Sequence, residues 1–201
     1  MNAAEHFICS SPLWRYLTRR RLLPWVLSGT RLGDHLLEIG AGYGAATADL
    51  LTRVSRVTAL DYDRNSARKL NTQNRAARFS AVQGDGARLP FASATFSSIL
   101  AILVLHHLRS VEMQNQMFVE ALRVLRPGGV FIAFEIPDNR LHRLGHIRST
   151  FTPLAPSSVF PRLSAAGFSK IALEVRSGGF RVTAIRPKRE ELADEPRRTD
   201  L

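Results

Sequence analysis

The residues with the clearest chemical potential form a short segment of alternating glycines, Gly40, Gly42 and Gly44, which directly follows the apolar run His35–Ile39. Glycine at every second position lets the backbone turn tightly and lets a ligand approach closer than a Cβ would permit. In open α/β sheets, the first turn at the carboxyl ends of the strands is where a nucleotide binds. The spacing therefore predicts a nucleotide site at this turn.

Three carboxylates accompany the glycine turn. Asp61 ends the next apolar run, where a carboxylate can accept hydrogen bonds from both hydroxyls of a ribose. Asp85 lies in Gly84-Asp85-Gly86-Ala87, after a third run, and is suited to accept a hydrogen bond from the exocyclic amine of adenine. Glu38 stands just before the turn and adds negative charge there.

The same spacing also fits a dinucleotide, because Gly40-x-Gly42-x-x-Ala45 satisfies the relaxed dinucleotide fingerprint. A pyrophosphate favours an uncharged, donor-rich loop at a helix N-terminus. Glu38 adds negative charge where a dinucleotide carries its own, whereas a ligand with an ammonium and a sulfonium tolerates it. The residues therefore favour a cationic nucleoside ligand, and an NAD-dependent oxidoreductase stays an open alternative.

The elements that position these residues follow from the apolar pattern. Short strand-like runs alternate with helical ones from residue 35 onward, which predicts a parallel sheet covered by helices. Near the end, two strands are joined only by Ser177-Gly178-Gly179, and so short a connection permits only an antiparallel hairpin. We predict an α/β fold, a Rossmann-like doubly wound sheet of about seven strands, mostly parallel with an antiparallel C-terminal hairpin, and helices on both faces. The predicted strands are His35–Ile39, Arg56–Asp61, Arg78–Gln83, Ser98–Leu105, Val130–Ile136, Lys170–Arg176 and Phe180–Ile185, and the predicted helices cover 11–28, 45–54, 64–75, 111–125 and 157–166.

Length and composition bound the domain organisation. The chain has 201 residues, of which 45% are hydrophobic and 22% charged, and this fits one globular domain. We predict a single domain over residues 1–186, with an N-terminal helical cap at 1–30 and a Rossmann-like core at 34–186. Residues 187–201 are predicted to form a charged, disordered tail. Trp14 and Leu17 are expected to anchor the cap helix to the sheet, and a second role, which is compatible with the first, is that Trp14, Tyr16 and His6 cover a bound substrate.

Charge and cysteine content limit the partners. No apolar run approaches the roughly eighteen residues of a membrane span, the N-terminal residues show no secretory signal, and Cys9 is the only cysteine. These observations predict a cytoplasmic protein. The net charge of +11 allows a nucleic-acid partner, but the arginines are spread along the chain without interleaved aromatic residues, so we favour a solvated basic surface. No pattern indicates an oligomeric state.

Five motifs in order make the chain resemble the class I S-adenosylmethionine-dependent methyltransferases, in particular the subgroup that includes the menaquinone and ubiquinone biosynthesis methyltransferases. The resemblance covers residues 34–186. The motifs are Leu-Glu-Ile-Gly-Ala-Gly-Tyr-Gly (37–44), Ala-Leu-Asp-Tyr-Asp (59–63), Gly-Asp-Gly-Ala-Arg-Leu-Pro-Phe (84–91), Leu-Val-Leu-His-His-Leu (103–108) and Leu-Arg-Pro-Gly-Gly (125–129). One departure is Ser97, where the family usually has an acidic residue, and we expect it to reflect a local difference in folding.

The resemblance implies S-adenosylmethionine as cofactor and methyl donor. The residues that it assigns to the donor are Glu38, Gly40, Gly42, Gly44, Asp61, Tyr62, Asp85, Gly86 and Leu103. The three glycines would pack under the methionine part, and Glu38 would organise the loop near the amino group. Asp61 would hold the ribose, Tyr62 would lie against the adenine face, and Asp85 would accept from the adenine amine. Leu103 would line the methionine pocket.

The acceptor side offers two candidate general bases, His106 and His107. A role in shaping the loop or contacting the donor is the alternative, and we favour it. Glu135 is expected to point into the same cleft. His142 and His146 are spaced to share a helical face, but the intervening glycine favours a loop, and we predict no metal site.

The segment after the fourth strand also indicates the acceptor class. Nucleic-acid methyltransferases of this fold often carry an Asn/Asp-Pro-Pro-aromatic box there for a flipped-out base, and here the place is taken by Leu-His-His-Leu. The sequence therefore predicts in-line methyl transfer from S-adenosylmethionine to a small-molecule or lipid-like acceptor. An RNA methyltransferase, an NAD-dependent oxidoreductase and a non-catalytic donor-binding protein are the alternatives.

Overall fold

The computed structural model describes residues 10–146, 149–176, 178–188 and 190. The strands are β1 (His35–Ile39), β2 (Arg56–Asp61), β3 (Phe79–Gln83), β4 (Phe96–Ile102), β5 (Leu125–Glu135), β6 (Ser169–Arg176) and β7 (Gly179–Ile185). The α-helices within the described residues are α1 (Pro12–Leu17), α2 (Leu23–Val26), α3 (Thr47–Arg53), α4 (Arg64–Gln73), α5 (Val111–Val124), α6 (Arg140–Gly145) and α7 (Pro156–Ala165), with a π-helical segment at Thr18–Leu22 and a 3₁₀ turn at Leu105–His107. In the part of the chain that is described, no helix is long and apolar enough to cross a membrane.

The seven strands form one sheet in the order β3-β2-β1-β4-β5-β7-β6. Strands β1 to β5 are parallel, and β7 runs antiparallel to both β5 and β6. The order places β1 between β2 and β4, so the turns that follow these strands lie side by side at one edge of the sheet. The predicted fold class, including the reversed strand of the C-terminal hairpin, is confirmed.

Helices cover both faces of this sheet. On one face, α5 and α7 contribute Phe118 and Val159 to a hydrophobic core. On the other, α2, α3 and α4 contribute Leu23, Leu50 and Leu70 to a second core. Because β4 is covered on both sides, its sequence reads as a nearly continuous apolar run rather than an alternating one.

The N-terminal helix packs differently from the prediction. Leu17 is exposed and Trp14 is only partly buried, whereas Leu23 and Val26 are fully buried. The expected anchoring by Trp14 and Leu17 is therefore wrong. The π-helical segment Thr18–Leu22 adds an extra residue to its turn. The helix face that is buried at Leu23 and Val26 therefore does not continue the face that carries Trp14 and Leu17 in α1.

The end of the cap is tied to the C-terminal hairpin by Arg181 of β7, which is buried. Its guanidinium donates to the carbonyl oxygen of Ser28 at 2.7 Å and to Glu174 Oε1 at 2.8 Å. Residues 1–9 of the predicted cap lie outside the described residues. The predicted disordered tail at 187–201 also lies outside them, apart from residues 187, 188 and 190.

Strand β5 begins earlier than predicted. The prediction ends the helix at residue 125 and begins the strand at Val130, but β5 starts at Leu125, directly after α5. Phe96 pairs with Leu125, and the register shifts before Ser98 pairs with Val130. These two pairs are two residues apart in β4 but five residues apart in β5, so the additional residues of β5 form a bulge.

Ser97 joins β4 to the segment before β1. Its hydroxyl accepts a hydrogen bond from the His35 amide at 2.9 Å and donates to the Leu32 carbonyl at 2.8 Å. These contacts lie at the amino end of the strand, away from the glycine turn. The expected role of Ser97 as a local difference in folding agrees with this placement.

Two adjacent serines test that role. Ser97→Ala removes the hydrogen bonds to the segment before β1 and should lower the free energy of unfolding by about 1–2 kcal/mol. Ser98→Ala should leave stability unchanged or raise it, because the Ser98 hydroxyl is buried without a hydrogen-bond partner and carries a desolvation cost. Urea unfolding of the two variants measures both changes. Equal losses in the two variants would contradict this account of Ser97.

Candidate functional site

The glycine turn follows β1, and its three glycines have different surroundings. All three have positive φ, 70° at Gly40, 52° at Gly42 and 76° at Gly44. A Cβ at Gly40 would lie 2.4 Å from Val104 Cγ2, and one at Gly44 would lie 2.7 Å from Leu70 Cδ2, but one at Gly42 would meet nothing within 4 Å. Gly40 and Gly44 therefore let the turn pack against the protein. Gly42 is the position that a ligand can approach.

Asp61, at the end of β2, fixes the backbone of this turn. Its Oδ2 accepts a hydrogen bond from the Gly42 amide at 2.7 Å, and its Oδ1 accepts one from the Asp63 amide at 2.9 Å. The sequence predicts that Asp61 lies beside the glycines, and the structure brings them together. The bond to the Gly42 amide is an additional role that the spacing alone did not indicate.

Glu38 is buried in β1 beneath the turn. Thr47, in the first turn of α3, donates from Oγ1 to Glu38 Oε2 at 2.6 Å. The pKa of Glu38 is raised from 4.5 to about 7, mainly because the carboxyl is buried; the Thr47 hydrogen bond opposes this shift, and the nearby Asp61 carboxylate adds to it. A buried carboxylate beside a second one is stabilised by a cation, so the electrostatics of this turn favour a positively charged ligand group.

The residues predicted around adenine lie further along the same edge. The Tyr62 side chain is 72% exposed, so its ring face is open to solvent. Asp85 Oδ1 accepts from the Ala87 amide at 2.9 Å, and a Cβ at Gly86 would lie 3.4 Å from Met117 Sδ. Asp85 also borders an open cavity of about 630 Å³, lined otherwise by Ala87, Arg88, Glu112, Met113 and Gln116. This cavity lies beside Asp85 and not over the glycine turn.

The turn after β4 closes the other side of the site. Leu103 has a φ of 57°, a left-handed conformation that is uncommon for leucine, and its amide donates to the Phe134 carbonyl at 2.8 Å. The chain therefore turns sharply at the end of β4. Val104 follows and packs onto Gly40. Val104 was absent from the predicted site, because its role depends on this backbone conformation.

Glu135, at the end of β5, holds this turn in place. Its Oε1 accepts from the amides of Val104 at 2.9 Å and Leu105 at 2.7 Å, and its Oε2 accepts from His106 Nδ1 at 2.5 Å. Glu135 is 1% exposed. The expected orientation of Glu135 into the cleft is therefore wrong, since its carboxylate is buried among these donors.

The structure also places the histidines. His106 is buried and His107 is partly buried, both in the 3₁₀ turn after β4. The loop expected around His142 and His146 is wrong, because α6 covers Arg140–Gly145 and His146 forms its C-terminal cap. The missed signal is Asn139, whose side chain caps the helix by accepting from the His142 amide at 2.8 Å.

Comparison with known proteins adds independent findings. Residues 37–133 match a family model described as "Methyltransferase domain". The demethylmenaquinone methyltransferase of Beutenbergia cavernae is 31% identical over 149 residues, which are 71% of this chain and 57% of that protein. A Mycolicibacterium smegmatis protein named as a probable S-adenosylmethionine-dependent methyltransferase is 33% identical over 75% of this chain and 53% of its own length. The chain thus spans about half the length of these two relatives.

A shorter match and two solved structures complete the comparison. Ribosomal RNA small subunit methyltransferase A of Anaeromyxobacter dehalogenans is 43% identical over 67 residues, 33% of this chain and 23% of that protein. The N-methyltransferase NodS of Bradyrhizobium japonicum, in complex with S-adenosyl-L-homocysteine, has a TM-score of 0.71 at 20% identity and covers 93% of this chain and 94% of its own. Phosphoethanolamine N-methyltransferase 2 of Haemonchus contortus, in complex with S-adenosyl-L-methionine, has a TM-score of 0.73 at 13% identity, over 92% of this chain and 56% of its own. At these identities the two structures show a shared fold.

The raised pKa of Glu38 has a measurable effect on stability. Between pH 4.5 and about 7 the folded protein keeps a proton on Glu38 that the unfolded chain has lost, so its contribution to stability falls as pH rises through this window. Glu38→Gln should match the wild type near pH 4 and exceed its free energy of unfolding by up to about 3 kcal/mol at pH 8. Urea unfolding across this pH range measures the difference.

The exposed Glu112 supplies the matched control for this comparison. Glu112→Gln should show no growing advantage over the wild type between pH 5 and pH 8, because the pKa of Glu112 is lowered by hydrogen bonding to Ser110. A difference between Glu38→Gln and the wild type that does not change with pH would contradict the raised pKa of Glu38.

Proposed function

We propose that this chain, whose residues 37–133 belong to the methyltransferase-domain family, transfers a methyl group from S-adenosylmethionine to a small-molecule or lipid-like acceptor. The resemblance to the class I S-adenosylmethionine-dependent methyltransferases is confirmed by the family match and the relatives. One observation carries the proposal of the donor. The open position at Gly42 lies at the carboxyl ends of parallel strands, where its amide donates to Asp61 and where Asp61 is close enough to the buried Glu38 to raise the pKa of Glu38.

The residues present fit this donor. Glu38 and Asp61 give the turn the negative charge that suits an ammonium and a sulfonium, and they disfavour a pyrophosphate. The open space at Gly42 leaves room for a close approach to the backbone. Tyr62 offers an exposed ring face on which a base can stack. When bound, S-adenosylmethionine supplies a methyl group already activated by its sulfonium.

The proposed roles follow the geometry of the turns after β1, β2, β3 and β4. Glu38 and the glycines Gly40, Gly42 and Gly44 would hold the methionine part, with Leu103 lining its pocket. Asp61 would bind the ribose hydroxyls, with the Gly42 amide bond keeping its carboxylate in place. Tyr62, Asp85 and Gly86 would surround the adenine. The protein's contribution to catalysis is then to align the acceptor with the methyl group and to exclude water.

On the acceptor side we propose that His106 is a positioning residue. Its burial and its bond to Glu135 support a role in holding the turn after β4. His107 is less buried and lies next to it, so it is the better candidate to contact the acceptor. Because one relative is named demethylmenaquinone methyltransferase, demethylmenaquinone is the first acceptor to test.

RNA is the second candidate acceptor. The net charge of +11 and the 67-residue match to a ribosomal RNA methyltransferase favour it. Binding to RNA through arginine–phosphate contacts would weaken steeply with salt concentration. If the protein methylates RNA at a rate that falls steeply with salt concentration, and does not methylate small molecules, RNA replaces the small molecule as the proposed acceptor.

Donor binding tests the proposed role of Asp61. Asp61→Ala should weaken S-adenosylhomocysteine binding by about 100-fold, because each charged hydrogen bond that it removes contributes about 1.5–3 kcal/mol. Asp63→Ala is the matched control, since Asp63 caps α4 by accepting from the Asn65 amide at 2.8 Å. It should retain the affinity and lose about 1 kcal/mol of stability. Calorimetric titration measures both affinities, and equal affinity of the wild type and Asp61→Ala would refute the proposed ribose site.

A second variant addresses the acceptor side. His107→Ala should bind S-adenosylhomocysteine like the wild type but methylate demethylmenaquinone about 100-fold more slowly, the size expected for loss of a group that assists proton removal. His142→Ala is the control, since it removes a histidine that lies outside the 3₁₀ turn, and it should keep the wild-type rate. Radiolabelled methyl transfer measures both. Unchanged turnover in His107→Ala would exclude a contact between His107 and the acceptor.

A further inference from the structure

Two adjacent histidines, His106 and His107, meet a third that is distant in sequence, His146, beyond the end of β4. One ring nitrogen from each of His106, His107 and His146 lies within 4.8 Å of the other two. The ring centroids of His106 and His107 are 4.2 Å apart, and those of His106 and His146 are 5.1 Å apart. We propose that these three imidazoles bind a divalent transition-metal ion, with Zn²⁺ as the expected ion. The proposal differs from the sequence prediction of no metal site.

The hydrogen bonds around the rings support this proposal. His106 Nδ1 donates to Glu135 Oε2 at 2.5 Å, and His146 Nδ1 donates to the His142 carbonyl at 2.7 Å. A neutral imidazole that donates through Nδ1 carries its lone pair on Nε2, the atom that can bind a metal. Histidines that ligate metals almost always donate their other ring N–H to a carboxylate or a backbone carbonyl. Two of the three histidines thus have the partners that a metal site requires.

A set of three histidine ligands is also typical of known transition-metal sites. Three neutral imidazoles suit Zn²⁺, copper and nickel, and Zn²⁺ sites with three histidines keep a fourth position for water or a substrate. The Glu135 carboxylate is buried against His106 and compensates part of the ion's charge. Zn–N bonds are about 2.0–2.1 Å long, so nitrogens on one tetrahedral ion lie about 3.3 Å apart. Because the three ring nitrogens lie within 4.8 Å of one another, binding would draw the rings closer together by up to about 1.5 Å.

A purely aromatic cluster is the competing explanation. Phe151 stacks on His146 with ring centroids 4.4 Å apart and contacts His106 edge-on at 5.6 Å. Such packing needs the ring faces and makes no use of the tautomers. It predicts that a phenylalanine in place of a histidine preserves the cluster, whereas a metal site requires the nitrogen atoms. The two explanations are therefore separable by substitution.

The proposal does not rest on methyl transfer. The cluster follows the turn that presents Leu103, so it lies on the side where the acceptor is proposed to bind. A metal ion there would offer its fourth position to an acceptor oxygen and lower the pKa of that group. Since a ligating imidazole uses its lone pair on the metal, the ion would then replace His107 as the group that activates the acceptor.

The test is metal binding by the full-length, tag-free protein after removal of metals with a chelator. Titration with Zn²⁺ by calorimetry, and with Co²⁺ by visible absorption, should give one ion per chain and the absorption bands of a tetrahedral cobalt site. His107→Phe and His146→Phe should each lower Zn²⁺ affinity at least 100-fold while the proteins remain folded. His142→Ala should bind like the wild type, because its imidazole bonds to the Pro137 carbonyl and lies outside the cluster.

Thermal unfolding guards against loss of binding through misfolding. Zn²⁺ should raise the melting temperature of the wild type and of His142→Ala, and leave those of the two phenylalanine variants unchanged. If the wild type binds no Zn²⁺ or Co²⁺, or if His107→Phe and His146→Phe bind as tightly as the wild type, the metal site is refuted and the aromatic explanation stands. Neither result bears on donor binding, so the proposed metal site and the proposed donor site fail separately.

Discussion

The buried carboxylate of Glu135 is the interaction on which both halves of the site depend. It accepts hydrogen bonds from the amides of Val104 and Leu105 and from the His106 imidazole, and so holds the sharp turn that Leu103 begins. On one side this turn places Val104 against Gly40 and closes the glycine turn of the proposed donor site. On the other side it presents His106 and His107 to His146. A buried carboxylate is tolerated here because three donors satisfy it.

The carboxylates of Glu135, Asp61 and Glu38 lie at the carboxyl edge of the sheet in different environments. Glu135 is satisfied by the protein itself, and Asp61 is held by backbone amides, whereas Glu38 has one short hydrogen bond from Thr47 and a raised pKa. The electrostatic cost of this arrangement falls on Glu38. A cationic ligand at Gly42 would reduce that cost, which links the stability of the fold to the chemistry of the proposed donor. Such a conflict between stability and binding is common at functional sites.

Features of the fold and the site that depend on local sequence signals could be predicted from the sequence. The alternation of strands and helices and the short link to β7 follow from the spacing of apolar and turn residues. The closeness of Gly42 and Asp61 also follows from spacing, because parallel strands bring successive turns to one edge of the sheet. The rest depends on tertiary structure. The π-helical segment that follows Leu17 has no local marker. The burial of Glu135 depends on backbone donors in the turn after β4, and His146 meets His106 only because the end of α6 returns to that turn. The loop predicted around His142 and His146 rests on the glycine between them and does not take the local capping signal of Asn139 into account.

The central claim is that the acidic glycine turn binds a cationic nucleoside, and side-by-side calorimetric titration of the purified chain with S-adenosylmethionine and NAD tests it most directly. The account predicts micromolar binding of S-adenosylmethionine and no detectable binding of NAD, because Glu38 and Asp61 favour a sulfonium and an ammonium and repel a pyrophosphate. Binding of NAD without binding of S-adenosylmethionine would contradict it, and would assign the glycine turn to a dinucleotide.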